Sequence, residues 1–283
     1  MRILIVGGDG KIGSQLVKIY KDSLISVLQT TRHIEKVNER NIFLDLSHDT
    51  LSWPLPYPKI DIVFFCASIT SIDYCEKEPI ISNRVNVENT LKLLNKFSDS
   101  GAFVVYISSN AVFNGDKPFS EYNETPDPKT EYGAQKAIVE SELLKMNHGA
   151  GVAIVRFGKV ITPNMPLISN WISKLKNEES ITAFFDMFMA PISIDFAVNL
   201  LTIIAQKKMS GIVQGSAYRD ISYVEAANYI AKKIGVSTNL VQQLSYKSAG
   251  ISYSPKNTTL NSSRLKELNI TTPSPLEAFD HFF

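Results

Sequence analysis

The chain has 283 residues, of which 44% are hydrophobic and 20% are charged, and its formal net charge is +1 at pH 7. This composition is typical of a globular protein, and the near-neutral charge argues against nucleic acid or an anionic membrane as a partner. No apolar run reaches the ~20 residues of a transmembrane helix, and the apolar run at the N-terminus is too short for a signal peptide.

The first predicted elements are a buried strand over residues 1–6, a glycine-rich turn and a helix. In this order they form the start of a dinucleotide-binding βαβ unit, in which free amides at the helix start face the phosphates. Gly7 allows a tight turn, Gly10 lets the backbone approach a pyrophosphate, and Gly13 lets helix and strand pack closely. A glycine-rich turn without a ligand is the alternative. The predicted cofactor contacts here are Gly7, Gly10, Lys11, Ile12 and Gly13.

The second predicted strand covers residues 25–29 and is followed by two threonines and Arg32. NAD sites usually have an acidic residue near the end of this strand, where it binds the ribose hydroxyls. No acidic residue ends this strand, and Arg32 offers a cation for a 2′-phosphate instead. The pattern favours NADP(H) and leaves NAD(H) open, with a solvated arginine as the alternative.

Strands and helices alternate along the rest of the first half of the chain, which predicts an α/β fold with a Rossmann-type doubly wound parallel sheet. Further strands are predicted over residues 41–46, 61–67, 102–107 and 151–157, with helices over residues 82–97 and from Tyr132 onward.

Two domains are expected. Residues 1–160 form an NAD(P)-binding Rossmann domain that includes the catalytic residues, and residues 161–283 are mostly a smaller, discontinuous substrate-binding lobe. Segments of the second part, such as 211–214, return to the main sheet, and helices are predicted over 194–206 and 223–234. Trp171 and Phe184 are expected in the core of the lobe rather than stacked on a ligand.

Three side chains can form one catalytic group. Tyr132 and Lys136 are four residues apart and share one face of a helix, although such pairs are also common on surfaces. A phenol normally keeps its proton to a pH of ~10, and a nearby ammonium favours the phenolate. Ser109 stands at the carboxyl end of the fifth strand, where ligands bind in open α/β sheets. We expect Ser109 to hold a substrate carbonyl, Tyr132 to donate the proton, and Lys136 to lower the pKa of Tyr132 and bind the nicotinamide ribose.

These motifs resemble those of extended short-chain dehydrogenases/reductases, and they are most similar to the dTDP-4-dehydrorhamnose reductase family. Residues 67–76, 85–87 and 106–115 are similar to the family's A-A-Y-T-x-V-D-x-x-E, V-N-x and Y-I-S-T-D-Y-V-F-x-G segments. Residues 122–125, 132–140 and 154–156 are similar to its Y-x-E-x loop, its Y-G-x-x-K-x-x-x-E helix and the strand before its substrate lobe.

The resemblance implies a Rossmann-type sheet, an NAD(P)H cofactor and a nucleotide-activated 4-keto sugar as substrate. Ser109 takes the place of the family's catalytic serine or threonine. The chain departs from the family pattern at Asn110 and Ala111, at Ile69 and at Gln15. By the same resemblance, Asp45 and Leu46 border the adenine, and Ala67, Ser68 and Thr70 lie beside the cofactor.

Three functions remain open from the sequence: a reductase of a nucleotide-linked keto sugar, a nucleotide-sugar epimerase with tightly bound NAD, and a non-catalytic NAD(P)-binding regulatory subunit. Two cysteines and four scattered histidines form neither a disulfide framework nor a metal-spacing pattern, so we expect no metal and a cytoplasmic protein. The oligomeric state, including a homodimer, stays open.

Overall fold

The computed structural model describes residues 1–21, 25–145, 151–251 and 253–283. In these residues the strands of the main sheet follow the predicted order, and six short strands lie between or after them. In chain order the strands are β1 (Arg2–Val6), β2 (Ser26–Thr31), β3 (Asn41–Phe43), β4 (Ile62–Phe65), β5 (Phe103–Ser109), β6 (Val152–Phe157), β7 (Val160–Ile161), β8 (Ile181–Phe184), β9 (Phe188–Met189), β10 (Ile192–Ser193), β11 (Gly211–Gly215), β12 (Ile221–Ser222) and β13 (Val241–Leu244).

Eight α-helices connect or cover these strands in the described part of the chain. They are α1 (Lys11–Lys21), α2 (Ile72–Lys77), α3 (Pro79–Asn83), α4 (Asn89–Asp99), α5 (Glu131–Lys145), α6 (Pro166–Lys176), α7 (Ile194–Lys207) and α8 (Tyr223–Ile234). None of the helices described is long and apolar enough to cross a membrane.

Among the described residues, seven strands form the main sheet, in the order β11-β6-β5-β4-β1-β2-β3. Strand β1 pairs with β2 and β4, β2 pairs with β3, and β4 pairs with β5, all in parallel. The side chains of β1, β4 and β5 are buried on both faces, as expected for a parallel sheet covered by helices. The chain reverses direction across the sheet between β1 and β4, so the carboxyl ends of these two strands flank a topological switch point.

The contacts of the chain divide it into two compact units. The first contains Met1–Asn114, Thr125–Arg156 and Val198–Val213, and the second contains Gly115–Glu124, Phe157–Ala197 and Gln214–Phe283. The first unit therefore holds the glycine turn and the three candidate catalytic residues.

Two predicted strands are shorter in the structure. The strand predicted over 41–46 ends at Phe43, because the carboxylate of Asp45 accepts a hydrogen bond from the backbone N–H of Ser47 at 2.8 Å and turns the chain. The strand predicted over 61–67 covers only Ile62–Phe65, although Cys66 still donates to the carbonyl of Val6 at 2.9 Å.

The prediction of one regular helix over residues 82–97 was wrong about where the helical segment begins and about its regularity. The helical segment begins earlier, where Ser71 caps α2 and Pro79 opens α3, and a π-helical turn, Arg84–Glu88, separates α3 from α4. From the first turn of α4, the Thr90 hydroxyl donates to the carbonyl of Val85, within the π turn, at 2.8 Å. Single π turns are frequent at functional sites, and this one carries Asn86, a residue discussed below.

The second unit is built around a core of its own. Its short strands pair as β7 with β10, β8 with β13 and β9 with β12. Trp171 is 3% exposed and lies edge-on to Tyr223 at 6.4 Å between ring centroids, and Phe184 packs against the same cluster. The expectation that Trp171 and Phe184 belong to the core is confirmed.

Candidate active site

Helix α5 carries Tyr132 and Lys136, and its first turn is fixed from two directions. The hydroxyl of Thr130 accepts a hydrogen bond from the N–H of Gly133 at 3.1 Å, and the carboxylate of Glu76 accepts one from the N–H of Glu131 at 2.8 Å. These acceptors satisfy amides that an α-helix leaves free at its start. The position of Tyr132 is therefore set by capping as well as by packing.

Gly133 lets α5 approach the residues that follow β5. A Cβ atom added to Gly133 would lie 2.1 Å from the carbonyl oxygen of Ala111, a distance that real Cβ atoms do not show. Any other residue at this position would push the helix away. Ser109, which ends β5, and Tyr132, which precedes this glycine, are brought together by that close approach, a role that the sequence analysis did not assign to Gly133.

The hydroxyl of Ser109 acts on the phenol of Tyr132 and lowers its pKa, an effect that is smaller than the rise caused by burial. The Ser109 hydroxyl also accepts a hydrogen bond from the N–H of Ala111 at 3.1 Å and lies 3.3 Å from the amide oxygen of Asn110. Ser109 is half-buried and Tyr132 is 9% exposed. An oxygen held between these two donors would receive two hydrogen bonds.

Lys136 is buried and its ammonium is held by the neighbouring strand. Its Nζ donates to the carbonyl of Ile107 at 2.9 Å and lies 4.7 Å from the ring centroid of Tyr106. Burial lowers the pKa of Lys136 to about 8, while the nearby carboxylate of Glu140 opposes that shift. The residue is therefore charged at neutral pH and loses its charge at mildly alkaline pH.

The predicted lowering of the Tyr132 pKa by Lys136 was wrong for this structure. Burial raises the pKa of Tyr132 to about 12, and the hydrogen bond with Ser109 only partly offsets this. The Lys136 ammonium is 5.9 Å from the Tyr132 ring centroid and donates its hydrogen bond to the carbonyl of Ile107. Tyr132 therefore keeps its proton at neutral pH, which is the form that a proton donor needs.

A buried polar network joins the π turn to α5. The side chain of Asn86 accepts from the N–H of Ile69 at 2.8 Å and from the Ser68 hydroxyl at 2.9 Å, and it donates to the side chain of Gln135 at 2.7 Å. Gln135 in turn donates to the Ser82 hydroxyl at 2.8 Å. The sequence analysis did not identify Gln135. The signal that could have found it is an amide side chain between Tyr132 and Lys136 on a helix that packs against the sheet.

A second buried pair lies one turn beyond Lys136. Arg156, on β6, bonds the carboxylate of Glu140 through two nitrogens, with the shortest contact 2.6 Å, and both side chains are 1% exposed. The Arg156 guanidinium also lies 4.9 Å from the ring centroid of Phe113. An arginine inside an otherwise apolar strand is the sequence signal for such a partner.

The glycine turn has the tight packing that its sequence predicts. Gly7 has φ +86°, in the left-handed region that favours glycine, and a Cβ there would meet the backbone of Ala67 at 2.8 Å. A Cβ at Gly13 would lie 2.2 Å from the carbonyl oxygen of Gly7. At Gly10 the nearest atom is 3.2 Å away, so protein atoms crowd this glycine less than its two neighbours in the motif.

The other predicted cofactor residues lie around the same edge of the sheet. Lys11 is exposed and Ile12 is half-buried in the first turn of α1. Leu46 is buried, and its carbonyl accepts from the side chain of Asn89 at 2.9 Å. Ser68 is tied to Asn86 as described, and Thr70 is exposed. Their contact with a cofactor stays a prediction.

An acidic residue does reach the end of β2, which the sequence analysis missed. Asp9, from the glycine turn, accepts a hydrogen bond from the hydroxyl of Thr31 and lies 3.3 Å from the ammonium of Lys36. Arg32 follows Thr31 in the chain and is exposed. Burial is the largest influence on the pKa of Asp45 and raises it, whereas the charge of Arg32 is among the influences that lower it. Strand order alone could not reveal Asp9, because it comes from another segment.

Metal ligands do not cluster in the described residues. No group of three or more histidine, cysteine, aspartate or glutamate side chains there could hold a metal ion. The two cysteines, Cys66 and Cys75, are free thiols, and burial raises the pKa of Cys66 to about 12.

Comparison with known proteins gives one family for nearly the whole chain. The family model described as RmlD substrate binding domain matches residues 1–279. The rat protein named Methionine adenosyltransferase 2 subunit beta (Rattus norvegicus) is 23% identical over 300 residues, which cover 97% of this chain and 84% of that protein.

Solved structures give the same fold. A dTDP-4-dehydrorhamnose reductase from Clostridium acetobutylicum superposes with a TM-score of 0.85 at 21% identity and covers 100% of this chain and 98% of its own. The dTDP-4-dehydrorhamnose reductase from Bacillus anthracis, in complex with NADP, has a TM-score of 0.84 at 22% identity and covers 100% and 98%. These likenesses confirm the Rossmann-type fold that was predicted from the sequence.

Proposed function

The chain belongs to the RmlD substrate binding domain family, and we propose that it is an NAD(P)H-dependent oxidoreductase that reduces a keto group of a nucleotide-activated sugar. The observation that carries the proposal is the close approach of Gly133 to the carbonyl of Ala111, which brings Tyr132 to Ser109 at the end of β5, with Lys136 one helical turn further on. A 4-keto group is the favoured target, because the solved relatives at a TM-score of 0.85 and 0.84 are dTDP-4-dehydrorhamnose reductases.

The residues at the carboxyl edge of the sheet fit a dinucleotide. Gly7 and Gly13 close the turn tightly, which leaves the amides of the first turn of α1 to face a pyrophosphate. The cofactor would supply the hydride. Lys11, Ile12 and Gly10 would border its phosphates, Asp45 and Leu46 its adenine, and Ala67, Ser68 and Thr70 its path across the sheet. NADP(H) is preferred because of Arg32, and NAD(H) is the second candidate.

Each catalytic side chain has a distinct task. Ser109 and Tyr132 would bind the substrate carbonyl oxygen as two donors, and Tyr132 would transfer its proton as the alcohol forms. Lys136 would hold the nicotinamide ribose and place a positive charge near the phenolate that remains. The first compact unit would then bind the cofactor, and the second unit would provide much of the sugar-binding surface.

The pKa of Lys136 predicts where the turnover number falls at alkaline pH, the alkaline limb of the pH profile. Because this pKa is lowered to about 8, the amine is charged below that pH and neutral above it, so turnover should fall as the pH rises through about 8. The measurement is kcat from neutral to alkaline pH. Lys136→Arg, which keeps its charge across this range, should move the limb to higher pH even where it lowers turnover. A wild-type profile that is flat through pH 8 would contradict this role.

Arg32 should decide between the two dinucleotides. Arg32→Ala should weaken NADPH binding by about tenfold and change NADH binding much less, because only NADPH carries the 2′-phosphate. Titration of each dinucleotide into the purified variant measures both dissociation constants. Equal losses for the two would remove the reason for preferring NADP(H).

A panel of nucleotide-linked keto sugars tests the proposed function directly. With NADPH present, the right substrate should raise the melting temperature of the protein and should be consumed together with NADPH. Oxidation of NADPH without a change in any sugar on the panel would count against the substrate class. Failure to bind either dinucleotide would reject the oxidoreductase.

A second function is favoured by one specific observation. The rat relative, which aligns with 97% of this chain, is named as a subunit of methionine adenosyltransferase. This chain could serve as a non-catalytic subunit of an enzyme of that kind. Stoichiometric binding to such an enzyme, with no turnover of any keto sugar, would support it. The intact group of Ser109, Tyr132 and Lys136 favours the reductase, because a subunit without catalysis has no need of it.

A further inference from the structure

We propose that Asp9 is a specificity-determining residue that favours the unphosphorylated ribose of NAD(H) and opposes the 2′-phosphate of NADP(H). The inference rests on the proposed function, because it concerns the same dinucleotide site. It adds a determinant that acts against Arg32, so that both dinucleotides can be used and the balance between them is set by one carboxylate.

The backbone fixes Asp9 at the end of β2. The N–H of Gly8 donates to the carbonyl of Thr30 at 3.1 Å, and the N–H of Gly7 donates to the hydroxyl of the same threonine at 2.9 Å. A Cβ at Gly8 would lie 2.2 Å from the side-chain oxygen of Gln29, so the turn passes close over this strand. Asp9 follows at once and accepts the hydrogen bond from Thr31.

This location is the one at which dinucleotide sites recognise the adenosine ribose. In such sites an acidic side chain near the end of the second strand binds the ribose hydroxyls, whereas an arginine accommodates a 2′-phosphate. In this chain both kinds of group are present, because Arg32 follows β2 and Asp9 reaches the strand end from the glycine turn. An ionised carboxylate accepts hydrogen bonds from hydroxyls and repels a phosphate.

The groups around Asp9 keep its carboxylate ionised, and the side chain is accessible to solvent. Burial acts to raise the pKa of Asp9, but the hydrogen bonds from Thr31 and Lys36 outweigh it and hold the pKa below its usual value. The Asp9 side chain is 32% exposed, and that of Lys36 is 49% exposed. The ammonium of Lys36, which would otherwise be available to a phosphate, is thus partly neutralised by Asp9.

Binding of NADH and NADPH to the whole chain tests the inference. Asp9→Asn removes the charge but keeps an oxygen that can accept from Thr31, so NADPH should bind more tightly and NADH more weakly. We expect the ratio of the two dissociation constants to shift by about tenfold towards NADPH. Asp9→Ser, which also lacks the charge, should shift the ratio in the same direction and serves as the second variant if the first folds poorly.

Asp61→Asn is the matched control. Asp61 accepts from the N–H of Arg2 at 2.7 Å and lies before β4, at the amino ends of the strands and so at the opposite edge of the sheet. The same change in net charge there should leave the ratio unchanged. A ratio that stays constant in both Asp9 variants, or that shifts equally in the control, overturns the inference alone. A wild-type chain that binds neither dinucleotide overturns the proposed function together with it.

Discussion

Tyr132→Phe should lower the turnover of the keto sugar by a factor of about 10² to 10⁴, which is the usual contribution of a positioned acid or base. The substitution removes only the hydroxyl group of Tyr132, and the buried aromatic ring keeps its packing. Burial raises the pKa of Tyr132 to about 12, so the wild-type residue is protonated throughout the neutral range and is ready to donate. Binding of NADPH, measured by titration, should stay within a few-fold of wild type.

Tyr106→Phe is the matched control for this experiment. The hydroxyl of Tyr106 is buried and has no hydrogen-bond partner among the described residues, and its ring lies 4.7 Å from the ammonium of Lys136. The variant keeps the ring and loses an unsatisfied polar group, so its turnover should be close to wild type. If the two variants lose turnover equally, a structural change near Lys136 explains the loss and Tyr132 is not the proton donor.

The main sheet could be predicted because local signals agree with the tertiary fold. Short apolar runs predict buried parallel strands, and a glycine turn after the first run predicts a dinucleotide-binding unit. The π turn at Arg84–Glu88 could not be predicted in this way. Apolar periodicity does not locate the extra residue of such a turn, and the turn is held by the long-range bonds of Asn86 to Ile69 and Gln135.

The candidate site was predictable where one segment carries the signal. Tyr132 and Lys136 share a helix, so their spacing is visible in the sequence. Asp9 and Thr31 meet only in the folded chain, and so do Gly133 and Ala111. The shift of the Tyr132 pKa was predicted in the wrong direction. The spacing of Tyr132 and Lys136 shows that they are close along a helix, but it shows neither their burial nor the acceptor of the Lys136 hydrogen bond.

Arg156→Met should destabilise the protein by about 3–5 kcal/mol, because it leaves the buried carboxylate of Glu140 without its partner. Both side chains are 1% exposed in the wild type, so water cannot replace the lost hydrogen bonds. The midpoint of urea unfolding, followed by circular dichroism, measures the effect. Glu140→Gln should cost less than this, since the amide oxygen still accepts from Arg156 while the charge is lost.

The double variant Glu140→Leu with Arg156→Met separates stability from chemistry. Two apolar side chains of similar volume need no partner, so most of the lost stability should return, and a midpoint as low as that of Arg156→Met alone would contradict this account.

The carboxylate of Glu140 raises the pKa of Lys136, against the larger effect of burial. Without that carboxylate, Lys136 should lose its proton below pH 8, and the alkaline limb of turnover should move to lower pH in a protein that is folded. An unchanged limb would mean that Glu140 serves the fold alone and that the charge of Lys136 does not depend on it.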